Sequence, residues 1–287
     1  MPSEPDITSP QNARVKALVK LRDQRGRRKA GLFIAEGWRA VQRAAAAGLK
    51  LRSVYLCESG LPLSTTREQV RGDISVQLRD REQLNAIEFV TVSPSVFRKI
   101  AYVREPEGVL AVCEPPAWSV DALPPADASA LDLVAVGTEK PGNLGAMVRT
   151  ADLAGCRSVI AAGTPVDAMN PNAIRASTGA VFTLPTIAMP EEQAIQTLMS
   201  QKMRVIAAVV DGEVEHTQAD YAGPCAIAIG PEDRGLGEHW REAATRSGGA
   251  CVRIATAGRS ADSLNASVAA GVLLFEAARQ RRTAGLQ

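Results

Sequence analysis

The sequence predicts an α/β protein, with a carboxy-terminal domain built on a parallel sheet and a smaller α/β domain before it. Three observations carry this. Past residue 130, short continuous apolar runs alternate with segments of helical period. Strands buried on both faces read this way, and a parallel sheet covered by helices produces them. Between the two halves, "EPPAWSVDALPPADASA" (114–130) has two Pro-Pro pairs and many small residues, the composition of a linker. Charge divides at the same place. Residues 1–113 hold 19 basic and 12 acidic side chains, a net of +7, whereas residues 114–287 hold 14 and 19, a net of −5. The expected organisation is a first domain over 1–113, a linker over 114–130 and a second domain over 131–287.

In the first domain "NARVKALVKLRDQRGRRKA" (12–30) reads as a helix and "GLFIAEG" (31–37) as a strand. "WRAVQRAAAAG" (38–48) reads as a helix stopped by Gly48, and "LRSVYLCE" (51–58) as a strand rich in β-branched and aromatic residues. "RKIAYVREPEGVLAVCE" (98–114) suggests a hairpin-like return ending in the strand "GVLAVC". In the second domain "LDLVAVG" (131–137), "SVIAAG" (158–163), "RVIAAVVDG" (204–212) and "CAIAIG" (225–230) are the strands. After the first of these, Asn143 can cap a helix in which Leu144, Met147, Val148 and Ala151 fall at helical spacing, with Gly155 as its C-terminal stop. The last helix begins near Ser263, where Leu264, Val268, Val272 and Phe275 step by four, four and three.

Composition removes several function classes. Five cysteines, Cys57, Cys113, Cys156, Cys225 and Cys251, form no CxxC and are odd in number, so reduced structural thiols are expected, as suits cytoplasm. Two histidines without clustered cysteines make a metal site unexpected. The amino terminus lacks the apolar core of a signal peptide, and no run of about 18 apolar residues predicts a membrane span. There is no GxxxxGK[ST], no GxGxxG followed by an acid at the dinucleotide-binding distance, and no GxSxG. A nicotinamide-dependent enzyme is therefore disfavoured.

What remains is a basic patch and three stretches with polar turn residues. "RVKALVKLRDQRGRRK", Arg14 to Lys29, has eight basic residues and one acid. It is either an electrostatic footprint for a polyanion or a solvated helix face or arm. The three stretches are "PGNLGAMVRT" (141–150), "AIAIGPEDRGLG" (226–237) and "VRIATAGRSADSLNASVAAGVLLFE" (252–276). Each is weak alone. Arg149 lies roughly 140° around its helix from Leu144, off the apolar stripe, and reads singly as a solvated arginine beside Asp152. Gly230 reads as a turn, Glu232 as a loop acid and Ser263 as a helix cap. Two of the stretches nevertheless follow strand ends, where ligands bind in α/β proteins.

In this order the three stretches resemble the signature motifs of the SpoU (TrmH-like) RNA ribose 2′-O-methyltransferases. The matching residues are Asn143, Gly145, Arg149 and Thr150; Gly230, Glu232 and Gly235; and Ser263, Leu264 and Asn265. "RASTGAVFTLP" (175–185) is similar to the family's region between motifs. The amino-terminal part, with "NARVKALVKLR" and "FIAEGWRAVQRA", resembles the L30e-like RNA-binding domain that often precedes the catalytic one. The chain departs from the family at Ile254-Ala255-Thr256, where Ile-Pro-Met is usual, and its following loop is about one residue longer than in many members.

The resemblance implies an α/β fold whose carboxy-terminal segment threads a trefoil knot, a homodimer formed through that domain, and S-adenosylmethionine as cofactor. It places Gly230, Ile254 and Leu264, with Ala208 as a looser match, at cofactor-contacting positions. It implies a catalytic group of Arg149, Asn143, Glu232, Ser263 and Asn265. A guanidinium is effectively always protonated, so Arg149 is expected to orient a phosphate or ribose and stabilise alkoxide charge. RNA contacts are expected from Arg25, Arg27, Arg28 and Lys29, and from Arg175, which could instead reach a second active site across a dimer. The implied substrate is 23S ribosomal RNA in preference to tRNA, with a subgroup protecting ribosomes from avilamycin- or thiostrepton-type antibiotics. A non-catalytic RNA-binding protein on the same scaffold is the remaining alternative.

Overall fold

The computed structural model describes residues 5–61, 66–78, 81–258 and 263–286, without the side chains of Arg81 and Gln83. It divides into two compact units, Met1–Ala117 with Met169–Thr183, and Trp118–Ala168 with Leu184–Gln287.

In the first unit, α1 (Ala13–Lys20) and α2 (Gln24–Ala30) replace the single helix expected over 12–30. The break has a local cause. Asp23 is extended, and its side chain accepts from the Gly26 amide at 2.6 Å, so it caps a new helix instead of continuing the old one. Then follow β1 (Phe33–Glu36), α3 (Trp38–Ala46), β2 (Leu51–Leu56), α4 (Arg67–Gln77), α5 (Arg81–Ala86), β3 (Glu88–Thr91), α6 (Pro94–Ile100) and β4 (Val109–Cys113). The four strands are ordered β1-β4-β2-β3. The hairpin-like return expected before β4 is absent: β4 runs antiparallel to both β1 and β2, and β3 pairs in parallel on the far side of β2. A strand buried between two neighbours satisfies its backbone on both edges, which a terminal hairpin arm cannot.

The second unit opens with β5 (Leu131–Val136), α7 (Pro141–Leu153) and β6 (Ser158–Ala162). The chain then passes through α8 (Pro171–Ala176), which belongs to the first unit. It returns with β7 (Thr186–Met189), α9 (Glu191–Ser200), β8 (Arg204–Ala208), β9 (Val214–Glu215), β10 (Cys225–Ile229), α10 (Glu238–Arg246), β11 (Ala250–Arg253) and α11 (Ala266–Thr283). The seven strands form one parallel sheet ordered β7-β6-β5-β10-β8-β11-β9. Every residue of β5, β6 and β10 is buried, and apart from Asp132 and Ser158 all are apolar, as strands covered on both faces require.

Three expectations change here. The Pro-rich stretch is no free linker, because Trp118, Val120, Leu123 and Ala126 pack against the core of the second unit. Residues 169–183 group with the first unit, although the sequence reading placed them in the second domain. The stripe Leu264, Val268, Val272, Phe275 is not the buried face of the last helix. Val268 and Phe275 are each 50% exposed, while Ala266, Ala270, Leu273, Leu274, Ala277 and Ala278 turn inward. Small residues on that face let α11 pack against α7, with Gly271 opposite Thr150. Period alone does not say which of two apolar stripes faces the core.

The far end of α11 is held by Arg281, only 1% exposed. Its guanidinium donates to the carbonyls of Ser129 (2.6 Å), Ala130 (3.0 Å) and Gly223 (2.5 Å), just before β5 and β10 begin. Hydrogen bonds from a charged donor contribute about 1.5–3 kcal/mol each, and stranding buried acceptors costs a comparable amount. Arg281→Met is therefore expected to destabilise the protein by about 2–4 kcal/mol. The measurement is a lowered urea midpoint in a folded variant.

Candidate active site and cofactor cavity

β10, β8 and β11 are neighbours, and their carboxy-terminal ends bring Gly230, Ala208 and Ile254 to one edge of the sheet. This is where a parallel α/β sheet leaves room for a ligand. A cavity of about 460 Å³ opens there, lined by Ala208, Gly230, Ile254 and Leu264, the four residues expected to contact a cofactor. Arg234 and Arg241 also line it, balanced in charge by Glu232 and Asp233 on the same wall. The loop after β10 closes tightly over Gly230. A Cβ at that position would meet the backbone of Gly235 and Leu236, at 2.6 Å from the Gly235 carbonyl oxygen and the Leu236 nitrogen. Gly235 itself turns the loop with φ +63°.

Beside this cavity lies a smaller one of about 270 Å³, lined by Lys140, Asn143, Glu232 and Ala266 among others. Glu232 is its centre. Its Oε1 accepts from Asn143 Nδ2 at 2.9 Å and from Asn265 Nδ2, and its Oε2 accepts from Lys140 Nζ at 3.1 Å. The Ala266 amide reaches the same Oε1 at 3.4 Å. One carboxylate thus joins residues of all three motif stretches. The Lys140 ammonium, then the Asn143 amide and the Ala266 backbone, hold its carboxyl below the usual range. Such a group contributes stability above its ordinary pKa, and that contribution fades as pH falls through the depressed value. Glu232 therefore remains an anion at neutral pH.

The helix starts explain how these side chains meet. Pro141 has no amide hydrogen to lose and suits the first helical position, so α7 begins three residues before Leu144. Asn143 is therefore not the cap. It sits in the first turn with its amide free to reach Glu232. Ser263 is not a cap either. Asn265 caps α11, its Oδ1 accepting from the Ser267 amide at 3.0 Å while its Nδ2 faces Glu232. Ser263 lines the larger cavity. Lys140 escaped the sequence reading. The signal was the proline after it, which moves the helix start and carries Lys140 to the lip of the site.

Arg149 is exposed, lies outside the residues lining both cavities, and forms no ion pair with Asp152. Leu153, one turn on, is 66% exposed. Residues 259–262 of the loop before α11 lie outside the described residues. In the first unit Arg25, Arg28 and Lys29 are surface residues on α2. Arg27 is a correction: it is 4% exposed, and its Nη1 donates to the carbonyls of Leu21 (3.0 Å) and Arg22 (2.8 Å). The break between α1 and α2 frees those carbonyls, and the guanidinium satisfies them instead of facing a polyanion. Arg175 is exposed and donates to Asn172 Oδ1 at 3.0 Å.

A parallel sheet with a cavity at its strand ends, a glycine loop folded over it and a carboxylate joining two helix starts describes a group-transfer enzyme of the α/β class. Residues 130–275 match the SpoU rRNA Methylase family, and residues 12–111 match an MRM3-like substrate binding domain. The chain belongs to the SpoU rRNA methylase family. It is 30% identical to a 23S rRNA (uridine(2479)-2′-O)-methyltransferase of Streptomyces viridochromogenes, over 98% of this chain and 94% of that one. It superposes on a crystal structure of an RNA 2′-O ribose methyltransferase with a TM-score of 0.80 and 38% identity, covering 96% of this chain and 99% of the other. For the SpoU methyltransferase AviRb from Streptomyces viridochromogenes in complex with AdoMet, the TM-score is 0.81 at 26% identity, covering 95% and 99%. The ligand held in that AviRb structure is AdoMet, S-adenosylmethionine. The cavity fits it: apolar Ile254 and Leu264 suit an adenine face, and the tight Gly230 loop offers backbone groups to its edge.

Gly230→Ala tests the fit. A Cβ there collides with backbone, which cannot rotate away as a side chain can. Calorimetry with S-adenosylmethionine should show affinity lowered at least about tenfold, the scale of 1.4 kcal/mol. Circular dichroism should remain that of the parent.

Proposed function

We propose that this protein transfers a methyl group from S-adenosylmethionine to a ribose 2′-hydroxyl of 23S ribosomal RNA. The observation that carries the reading is the Glu232 carboxylate, which gathers Lys140, Asn143 and Asn265 beside a cavity bounded by Ala208, Gly230, Ile254 and Leu264. When bound, the cofactor supplies an electrophilic methyl on a sulfonium. The new C–O bond forms as the C–S bond breaks, the electron pair stays on sulfur as a neutral thioether, and the hydroxyl proton leaves to water. Positioning of two reactants at contact can supply much of the rate.

The chain's own residues divide that work. Glu232 holds the two asparagines in fixed orientation, so they can position the ribose without reorganising. Ser263, on the wall of the larger cavity, is a hydrogen-bonding group toward the same ribose. Arg149 has no bond with a described residue and is solvent-facing, so its charge is available to an RNA phosphate and to the developing alkoxide. As a permanently protonated group it is not the base. Arg25, Arg28, Lys29 and Arg175 supply further phosphate contacts at the surface of the first unit, in keeping with that half's positive balance. Cytoplasmic location and protection of ribosomes from avilamycin- or thiostrepton-type drugs are part of this reading, as is the trefoil knot.

Single-turnover transfer to 23S rRNA, with tRNA as the comparison and saturating cofactor, tests it. Arg149→Ala is expected to slow transfer about 10²–10³-fold, the usual loss for one group that stabilises charge in the transition state, with cofactor affinity unchanged. A near-parental rate removes Arg149 from the mechanism. Transfer to tRNA alone removes the ribosomal substrate.

Homodimerisation belongs to the same proposal. Val268 and Phe275 on α11 and Leu153 on α7 are large apolar side chains at the surface of two packed helices. Exposed apolar groups gathered on packed helices suit a second copy of the chain. Val268→Asp with Phe275→Asp is expected to halve the mass by light scattering while circular dichroism stays unchanged. A monomeric parent protein would sink the idea.

A further inference from the structure

The first unit holds a cavity of about 480 Å³ that none of the motif residues explains. Its walls come from β1, α3, the segment between α6 and β4, and α8. Tyr102 stands at its edge, 42% exposed yet fixed at both ends. Its hydroxyl accepts from Asn172 Nδ2 at 2.9 Å, and its amide donates to Glu36 Oε2 at 2.7 Å. The same Asn172 accepts from Arg175 through its other side-chain atom, so one amide orders both a phenol ring and a guanidinium. An ordered, half-exposed aromatic ring beside a guanidinium is a ready platform for a flat ligand.

The wall carries a second mark of a binding site. Thr178 has φ +52°, a left-handed conformation that is an outlier for a β-branched residue. Arg43 keeps it there, donating to its carbonyl and, at 3.0 Å, to its hydroxyl. Backbone held in such a conformation by added bonds gathers at ligand sites. The charged groups of the cavity are both donors and acceptors. Arg39 and Glu105 line it and bond to no described residue. Glu107 uses Oε2 for the Trp38 amide at 2.7 Å and keeps Oε1.

We propose that this cavity takes one unpaired guanine base of the RNA substrate, stacked on Tyr102. Guanine alone among the four bases offers two adjacent donors, N1–H and the N2 amino group, matched to a carboxylate, together with O6 and N7 acceptors matched to a guanidinium. Glu105 or Glu107 takes the first pair, and Arg39 the second. Adenine presents an acceptor where the carboxylate needs a donor. The proposal rests on the RNA reading above, and its site is separate from the methyl-transfer cavity of the second unit.

Fluorescein-labelled UUGUU, UUAUU and an inosine pentamer, which lacks the N2 amino group, are titrated into the full-length protein at one fixed salt concentration. UUGUU is expected to bind about tenfold tighter than UUAUU, with inosine between them. Tyr102→Leu should weaken UUGUU binding about 5- to 150-fold, the span for loss of one stacked base. Tyr102→Phe, which keeps the ring and loses the tether to Asn172, should fall between, and Glu105→Gln should narrow the preference for guanine. Unchanged circular dichroism and S-adenosylmethionine affinity show that the variants are folded. Equal affinity for the guanine and adenine pentamers, or parental affinity in Tyr102→Leu, overturns the proposal. Wild-type protein that methylates 23S rRNA but binds no pentamer overturns the base site alone. Guanine-selective binding without any methyl transfer overturns the enzymatic reading and leaves the base site standing.

Discussion

The second unit's site depends on where one carboxylate sits. Glu232 follows a central strand, and two helix starts converge on its carboxylate: Oε2 accepts from the start of α7, and Oε1 from the starts of both α7 and α11. α7 brings Lys140 and Asn143; α11 brings Asn265 and the Ala266 amide. Both helices present amide hydrogens and the positive end of a dipole at their first turns, so an anion between them is favoured on electrostatic grounds as well as by direct bonds. Were Glu232 neutral and apolar, two asparagine amides and a lysine would share a small space with no common acceptor. The carboxylate thus sets the distance between segments that are far apart in the chain.

The parallel sheet supplies the other half of the arrangement. Because β10, β8 and β11 run the same way, their last residues open on one edge, and three separate loops leave from neighbouring points. Gly230 permits the loop after β10 to double back on itself at backbone contact distance. Arg281 works at the opposite edge, tying the end of α11 to the carbonyls just before β5 and β10. α11 is therefore secured at both ends: by Asn265 among the site residues and by a guanidinium beneath the sheet.

Much of this was legible in the chain. Continuous apolar runs identify buried parallel strands, and the strand-end rule marks Gly230 and its loop. The motif residues Asn143, Glu232 and Asn265 do converge, and Ala208, Gly230, Ile254 and Leu264 do line one cavity. What escaped depends on information that short sequence windows lack. Helical period showed that Val268 and Phe275 share a stripe, but α11 carries a second apolar stripe made largely of alanine, and only packing against α7 chose between them. Arg27 looked like its basic neighbours, since nothing local says that two carbonyls would need a donor at that spot. Asn143 could equally cap a helix or sit inside one, and the proline two residues earlier decided it. The grouping of residues 169–183 with the first unit has no sequence signature at all.

β10 lies between β5 and β8, registered with both over its full length, yet it is made after either of them. During synthesis β5 already has β6 on one side, but its other edge stays unpaired until residue 229 has emerged. Until then the sheet is β7-β6-β5 with β8 unpaired, because both neighbours of β8, β10 and β11, are made later. Long-range parallel pairing of this kind carries a loop-closure cost before any contact repays it, which slows folding. The edges left waiting are apolar strands, the surfaces most prone to pair with the wrong chain. A truncation between β8 and β10 leaves β5 and β8 each with an open edge, and so an aggregation-prone fragment in place of a smaller working domain.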